Sequence, residues 1–161
     1  MEKIIEYKKG ILAQLLALVQ EKEKTTKENQ ENTQKRANEE EGAMQSRYST
    51  FKAEGQFLAG GLKSILEDLK ANTAIIQAMM RERIKVNERV ESLAIVEVEF
   101  DDGSKEKFFV IPGSSGEKID DLTMISPKTP LGKALMGKEA GDNFTLKVGD
   151  KARKGEVIYV T

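Results

Sequence analysis

The stretch that most constrains this chain is Glu39 to Leu62, EEEGAMQSRYSTFKAEGQFLAGGL, where a polar run ends, Gly42 offers a reversal and a second run begins. From Tyr48 onward, alternating steps of three and four residues land on Tyr48, Phe51, Gly55, Leu58, Leu62, Ile65, Leu69, Asn72, Ile76, Met79, Arg83, Val86 and Val90. That is a heptad seam sustained over roughly six heptads, which predicts one long helix. The arm before the reversal is apolar only at its start, through Ile4, Ile5, Ile11, Leu12, Leu15, Leu16, Leu18 and Val19, and is almost wholly polar from Glu21 to Glu41. A polar helix of that length is marginal in water by itself, so the stripe on the second arm has to supply its packing surface. The expectation is an antiparallel coiled-coil hairpin over residues 1–92, its tip near 40–46, each arm roughly 60 Å long at about 1.5 Å per residue. Gly55, Gly60 and Gly61 are costly inside a helix, and a close approach of the arms or a kink would account for them.

Beyond Leu93 the periodicity changes from helical to alternating. Val96, Val98 and Phe100 fall on one face, Asp101-Asp102-Gly103 makes a turn, and Lys105 to Ile111 returns as the second strand of a hairpin. A short strand follows near Leu122 to Ile125. Thr129 can then cap a helix that starts with Pro130 and runs over Leu131 to Met136, with Gly137 closing it in the left-handed region. Strands over Asn143 to Val148 and Gly155 to Val160 complete a small antiparallel sheet, so residues 93–161 form an α+β domain.

Composition narrows the chemistry. The chain has 161 residues with 26 Lys+Arg against 27 Asp+Glu, a balance that argues against a dedicated nucleic-acid binder. Without cysteine, histidine or tryptophan there is no thiolate nucleophile, imidazole base, ordinary zinc site or disulfide. Carboxylates are what remain, and Glu39, Glu40 and Glu41 stand together before the reversal. Consecutive side chains on a helix diverge by about 100°, so the three cannot share one face. They read either as a solvated charge run or as hard oxygen ligands offered to a magnesium ion held mainly by a partner. No apolar run long enough to span a membrane and no export leader is present, which gives a cytoplasmic location as the expectation.

Two sets of residues carry a resemblance. Tyr48, Lys52, Phe57-Leu58 and Gly60 are similar to the ascending arm of the Gre transcript-cleavage factors, and Ile125-Ser-Pro-Lys-Thr-Pro-Leu-Gly-Lys-Ala-Leu-Met-Gly-Lys-Glu-Ala-Gly-Asp142 resembles the signature of their C-terminal domain. The second match is the more specific, since heptads are common and this loop-helix-turn is not. The resemblance implies an FKBP-like fold for residues 93–161 and bacterial RNA polymerase as partner. It also implies a monomeric protein whose coiled coil enters the polymerase secondary channel. Tip acids would there help hold the polymerase's magnesium, with no cofactor of the factor's own and no catalysis by it alone. Ser126, Thr129 and Pro130 would lie near the channel rim and Tyr48 on the inserted arm. The chain departs from the pattern at the tip: the first acid corresponds to Glu41, but the second corresponds to Met44. A thioether does not serve magnesium. Either Glu39 or Glu40 compensates, or the protein occupies the channel with weak, absent or inhibitory effect on cleavage. A prolyl isomerase, prompted by the FKBP-like fold alone, and a chaperone-like tentacle are the more remote readings.

Overall fold

The structure is a computed structural model that describes residues 1–39 and 45–161, with side chains described outside 37–52. Helix α1 spans Glu2–Glu39 and helix α2 Gln45–Arg81. Strands β1 (Ile95–Phe100), β2 (Lys105–Val110), β3 (Lys118–Ile119) and β4 (Leu122–Ile125) follow. The short helix α3 (Pro130–Leu135) and strands β5 (Asn143–Val148) and β6 (Lys151–Val160) complete the chain. The fold class is α+β, two long helices and then a mixed sheet. The chain divides into two compact units, one of Met1–Leu16 with Ile75–Thr161 and the other of Ala17–Ala74.

The unit Ala17–Ala74 is a helix pair. Thr73 Oγ1 donates to Glu23 Oε2 at 3.4 Å, which sets the end of the returning helix beside the start of the outgoing one and makes the two antiparallel. On the outgoing helix the half-buried positions recur at Glu23, Thr26, Gln30 and Thr33, so the polar run still presents a heptad face. On the returning helix the inward positions are Gly55, Ala59, Leu62, Leu66, Leu69 and Thr73. The expected seam shares Gly55, Leu62 and Leu69 with this set but takes the intervening steps in the opposite order. It therefore assigned Leu58 and Ile65, which are exposed, in place of Ala59 and Leu66. Gly60 and Gly61 are not explained by close packing, since a Cβ at either would meet nothing within 4 Å.

The expected continuation of α2 to Val90 is also corrected, because the helix ends at Arg81. Of the seam positions beyond Met79, Val90 is buried, Val86 half-buried and Arg83 exposed, while Ile84 and Asn87, which lie off the seam, are buried; the backbone around them has other partners. Lys85 O accepts from Lys8 Nζ, Val90 N donates to Lys138 O, and Val90 O accepts from Gly137 N. A carbonyl or amide taken this way is not available to the helical i to i−4 ladder.

The six-stranded sheet has the order β3-β4-β2-β1-β6-β5. It is mixed rather than wholly antiparallel, because β2 and β4 pair in parallel. One face carries the core of Val96, Val98, Phe100, Phe108, Val110 and Val157, closed by Leu135 from α3 and by Phe144, whose ring meets Phe100 edge-on at 5.6 Å. The other face carries a row across four strands, since Glu97 opposes Lys107 on β2 and Tyr159 on β6, and Lys107 is in register with Leu122 on β4. Pairing of β1 with β6 shifts between Glu97 and Val98, leaving Ile158 as an extra residue. No helix among the described residues is long and apolar enough to cross a membrane.

The corrected seam is checked by paired truncations. Leu66→Ala, removing a side chain only 7% exposed, is expected to destabilise by about 2 kcal/mol or more. Ile65→Ala, at 51% exposed, should change stability by less than about 0.5 kcal/mol in urea unfolding followed by circular dichroism.

Candidate functional site

The loop-helix-turn from Ile125 to Asp142 is built by local capping. Thr129 is the N-cap of α3, in extended backbone with φ −70° and ψ 158°, and its Oγ1 accepts from Gly132 N at 3.1 Å. The same hydroxyl donates to Ser126 O at 2.8 Å, and Thr129 N donates to that carbonyl at 3.0 Å. Ser126 Oγ accepts from Lys128 N at 3.3 Å. Pro130 takes the first helical position, where its missing N–H leaves no helical bond unmade. Gly132 is required by space: a Cβ there would sit 2.0 Å from Ser126 O and 2.9 Å from its carbonyl carbon.

The far end of the helix is held just as closely. Gly137 reverses the chain at φ +77°, a conformation that favours glycine. Its amide donates to Val90 O at 2.8 Å while Val90 N donates to Lys138 O at 2.8 Å. Asp142 Oδ2 accepts from Glu139 N at 2.8 Å, so the last acid of the motif closes its own turn. Arg89 forms a β-bridge and an ion pair with Glu139 from the other side. Ser126, Thr129 and Pro130 are thus brought together, but differently disposed. Ser126 is buried, Thr129 half-buried, and Pro130 exposed in company with Lys128, Lys133 and Met136. The tip residues Glu40, Glu41 and Met44 lie outside the described residues, as do the side chains of Glu39 and Tyr48. Among the described residues no group of three acidic side chains is placed to hold a metal ion.

One polar cluster was not anticipated. Lys8 on α1 is fully buried, its Nζ donating to Lys85 O and to Asn87 Oδ1, each at 2.8 Å. Asn87 Nδ2 donates to Glu91 Oε1 at 2.6 Å, and Lys85 Nζ lies 2.7 Å from the same oxygen. Burial is the main cause that lowers the Lys8 ammonium from the ordinary 10.5 to about 8; the Glu91 charge opposes the shift and Lys85 adds to it. The Lys85 and Asn87 hydrogen bonds, in that order, hold the Glu91 carboxyl below its usual value. The available signal was position: Lys8 lies four residues after Ile4 and three and four before Ile11 and Leu12, inside the apolar stripe.

A helix pair followed by a mixed α+β domain carrying this capped loop-helix-turn is the arrangement that the Gre resemblance implies. Residues 85–161 match the family model described as "Transcription elongation factor, GreA/GreB, C-term", so that domain belongs to the GreA/GreB family. A transcription elongation factor GreA of Jannaschia sp. (strain CCS1) is 26% identical over 114 residues, covering 71% of this chain and 69% of the relative. Among solved structures, Thermus aquaticus Gfh1 is 18% identical, with 89% of this chain and 92% of that one covered and a TM-score of 0.41. The GreA/GreB factor of Nitrosomonas europaea is 19% identical, with 63% and 92% covered and a TM-score of 0.38.

Two outcomes check this geometry. Gly132→Ala should lower stability by about 2 kcal/mol or more in thermal or urea unfolding, because the obstructing atoms are backbone. For Lys8, a folded pKa of about 8 beneath the ordinary 10.5 means the folded state binds fewer protons between those values, so stability rises with pH there. Between pH ~7.5 and ~9.5 the parent should gain about 2 kcal/mol relative to Lys8→Met in urea titrations.

Proposed function

We propose that this chain is an RNA polymerase-binding regulator of transcription elongation, anchored by its C-terminal domain and probing the secondary channel with its helical hairpin. The observation that carries the reading is the match of residues 85–161 to the GreA/GreB C-terminal model. The loop-helix-turn supports it physically. Its backbone is locked by Thr129, Gly132 and Asp142, so the exposed Lys128, Pro130, Lys133 and Met136 form a preformed surface with little ordering entropy to lose on docking. The partner is accordingly the polymerase, the location is the cytoplasm where it works, and the protein acts as a monomer without a cofactor of its own.

At the tip, donor chemistry decides what the hairpin can do. Carboxylates such as Glu41, or Glu39 and Glu40 beside it, are hard oxygen ligands suited to the magnesium ion of a polymerase, whereas Met44 offers a thioether that is not. The protein therefore occupies the channel with little stimulation of RNA cleavage, and inhibition is the corollary where occupancy blocks substrate entry.

The test is a backtracked polymerase complex assayed for binding and for transcript cleavage. The parent should bind and cleave weakly, Met44→Glu should gain cleavage without tighter binding, and Thr129→Lys with Pro130→Gly should lose affinity while still unfolding cooperatively. Strong cleavage by the parent that survives Glu39→Ala, Glu40→Ala and Glu41→Ala singly would overturn the tip assignment. Unchanged affinity in the loop variant would remove that loop from the interface.

A further inference from the structure

The outer face of the sheet and the first turns of α1 enclose a pocket of about 230 Å³ that nothing in the elongation-factor reading uses. Its floor is apolar, formed by Ile4, Ile95 and Leu122, and Tyr7 and Tyr159 stand in its wall at 42% and 47% exposed. Glu97, Lys107 and Asp121 supply the charges. These groups converge because of register: Glu97 faces Lys107 on one side and Tyr159 on the other. Lys107 is committed to Asp121 at 2.6 Å. Two carboxylates therefore stand against one ammonium that already has a partner, and the pocket is left with a negative field. The Tyr7 phenol reports that field, pushed up first by burial and then by Asp121 and Asp120.

Thr161 follows β6. It lines the pocket, is only 4% exposed, and its Oγ1 is buried without a hydrogen-bond partner among the described residues. That oxygen has under 1 Å² of accessible surface, so it is closed off from the pocket and offers a ligand no contact. The volume lies below the roughly 300 Å³ at which pockets for drug-sized ligands begin, so the occupant is smaller than a nucleotide.

We propose that this pocket binds an organic cation on a short apolar stem, the chemistry of an arginine or lysine side chain or of a small free amine. The stem lies on Ile4, Ile95 and Leu122, and the cationic head faces Glu97 and the tyrosine rings. Aromatic faces attract such cations, and a charge-assisted hydrogen bond to Glu97 fixes the head.

Tyr7 and Tyr159 are two of the three tyrosines in the chain, so their ring resonances in NMR titrations of the whole protein read the pocket directly. The probes are N-acetyl-arginine methylamide, its neutral citrulline counterpart, and putrescine. Saturable shifts of both rings with the arginine probe or with putrescine, and none with citrulline, are expected. Tighter binding of the arginine probe identifies a partner's side chain as the source; tighter binding of putrescine identifies a free amine. Glu97→Gln should weaken binding at least about tenfold, as loss of a charge-assisted contact does. The proposal is overturned if neither cation shifts the rings, if citrulline binds equally well, or if a cooperatively folded Glu97→Gln protein binds unchanged. None of these results depends on polymerase binding.

Discussion

Two backbone hydrogen bonds on Val90 hold the C-terminal architecture to the segment that leaves α2. Its N–H reaches Lys138 O and its carbonyl receives Gly137 N, while its side chain enters the core beside Leu135 and Val98. Paired this way, the segment cannot remain helical, and the turn after α3 cannot move independently of it. Arg89 with Glu139 extends the contact, but it is an exposed ion pair and contributes little by comparison. The cap at Thr129, the tight seat of Gly132 and the closure by Asp142 then follow as the means of presenting Gly137 and Lys138 at the right place.

What could be read from the sequence was what depends on neighbours in the chain. The α3 boundaries follow from Thr129, Pro130 and Gly137, each acting through its own backbone chemistry. The β1-β2 hairpin follows from the alternation of Val96, Val98 and Phe100 with a turn at Gly103. The heptad phase could not be fixed so easily: Gly55, Leu62 and Leu69 satisfy both phases, and Leu58 or Ile65 is as apolar as Ala59 or Leu66. Val86 and Val90 likewise fit a continued helix until the sheet domain's demand on the backbone is known. The parallel β2-β4 pairing and the burial of Lys8 depend on partners remote in sequence; for Lys8 the separations are 77 and 79 residues. The candidate docking loop was readable as a motif, but the division between buried Ser126 and exposed Pro130 required the fold.

The Lys8 cluster shows how a charged residue can be retained inside an apolar stripe. Two of its N–H donors find Lys85 O and Asn87 Oδ1, and Asn87 passes the interaction to Glu91, which is itself met by Lys85. Such a buried ammonium is a poor source of stability, since desolvation offsets the hydrogen bonds. It is a good source of register, because a helix slid or rotated by one residue would leave the charge buried and unpaired.

The extra residue in β6 has a further consequence. Side chains along a strand alternate between the two faces, yet Val157 and Val160 are both turned toward the core side while Tyr159 opposes Glu97 on the other. The bulge at Ile158 changes the phase of the strand in mid-course, so one segment serves two incompatible alternations. The outward placement of Tyr159 therefore rests on the bulge that absorbs residue 158, not on the identity of that residue. Deleting residue 158 would leave a regular alternation with the tyrosine still opposite Glu97, whereas keeping it and straightening the bulge would turn the tyrosine inward and the final valine outward.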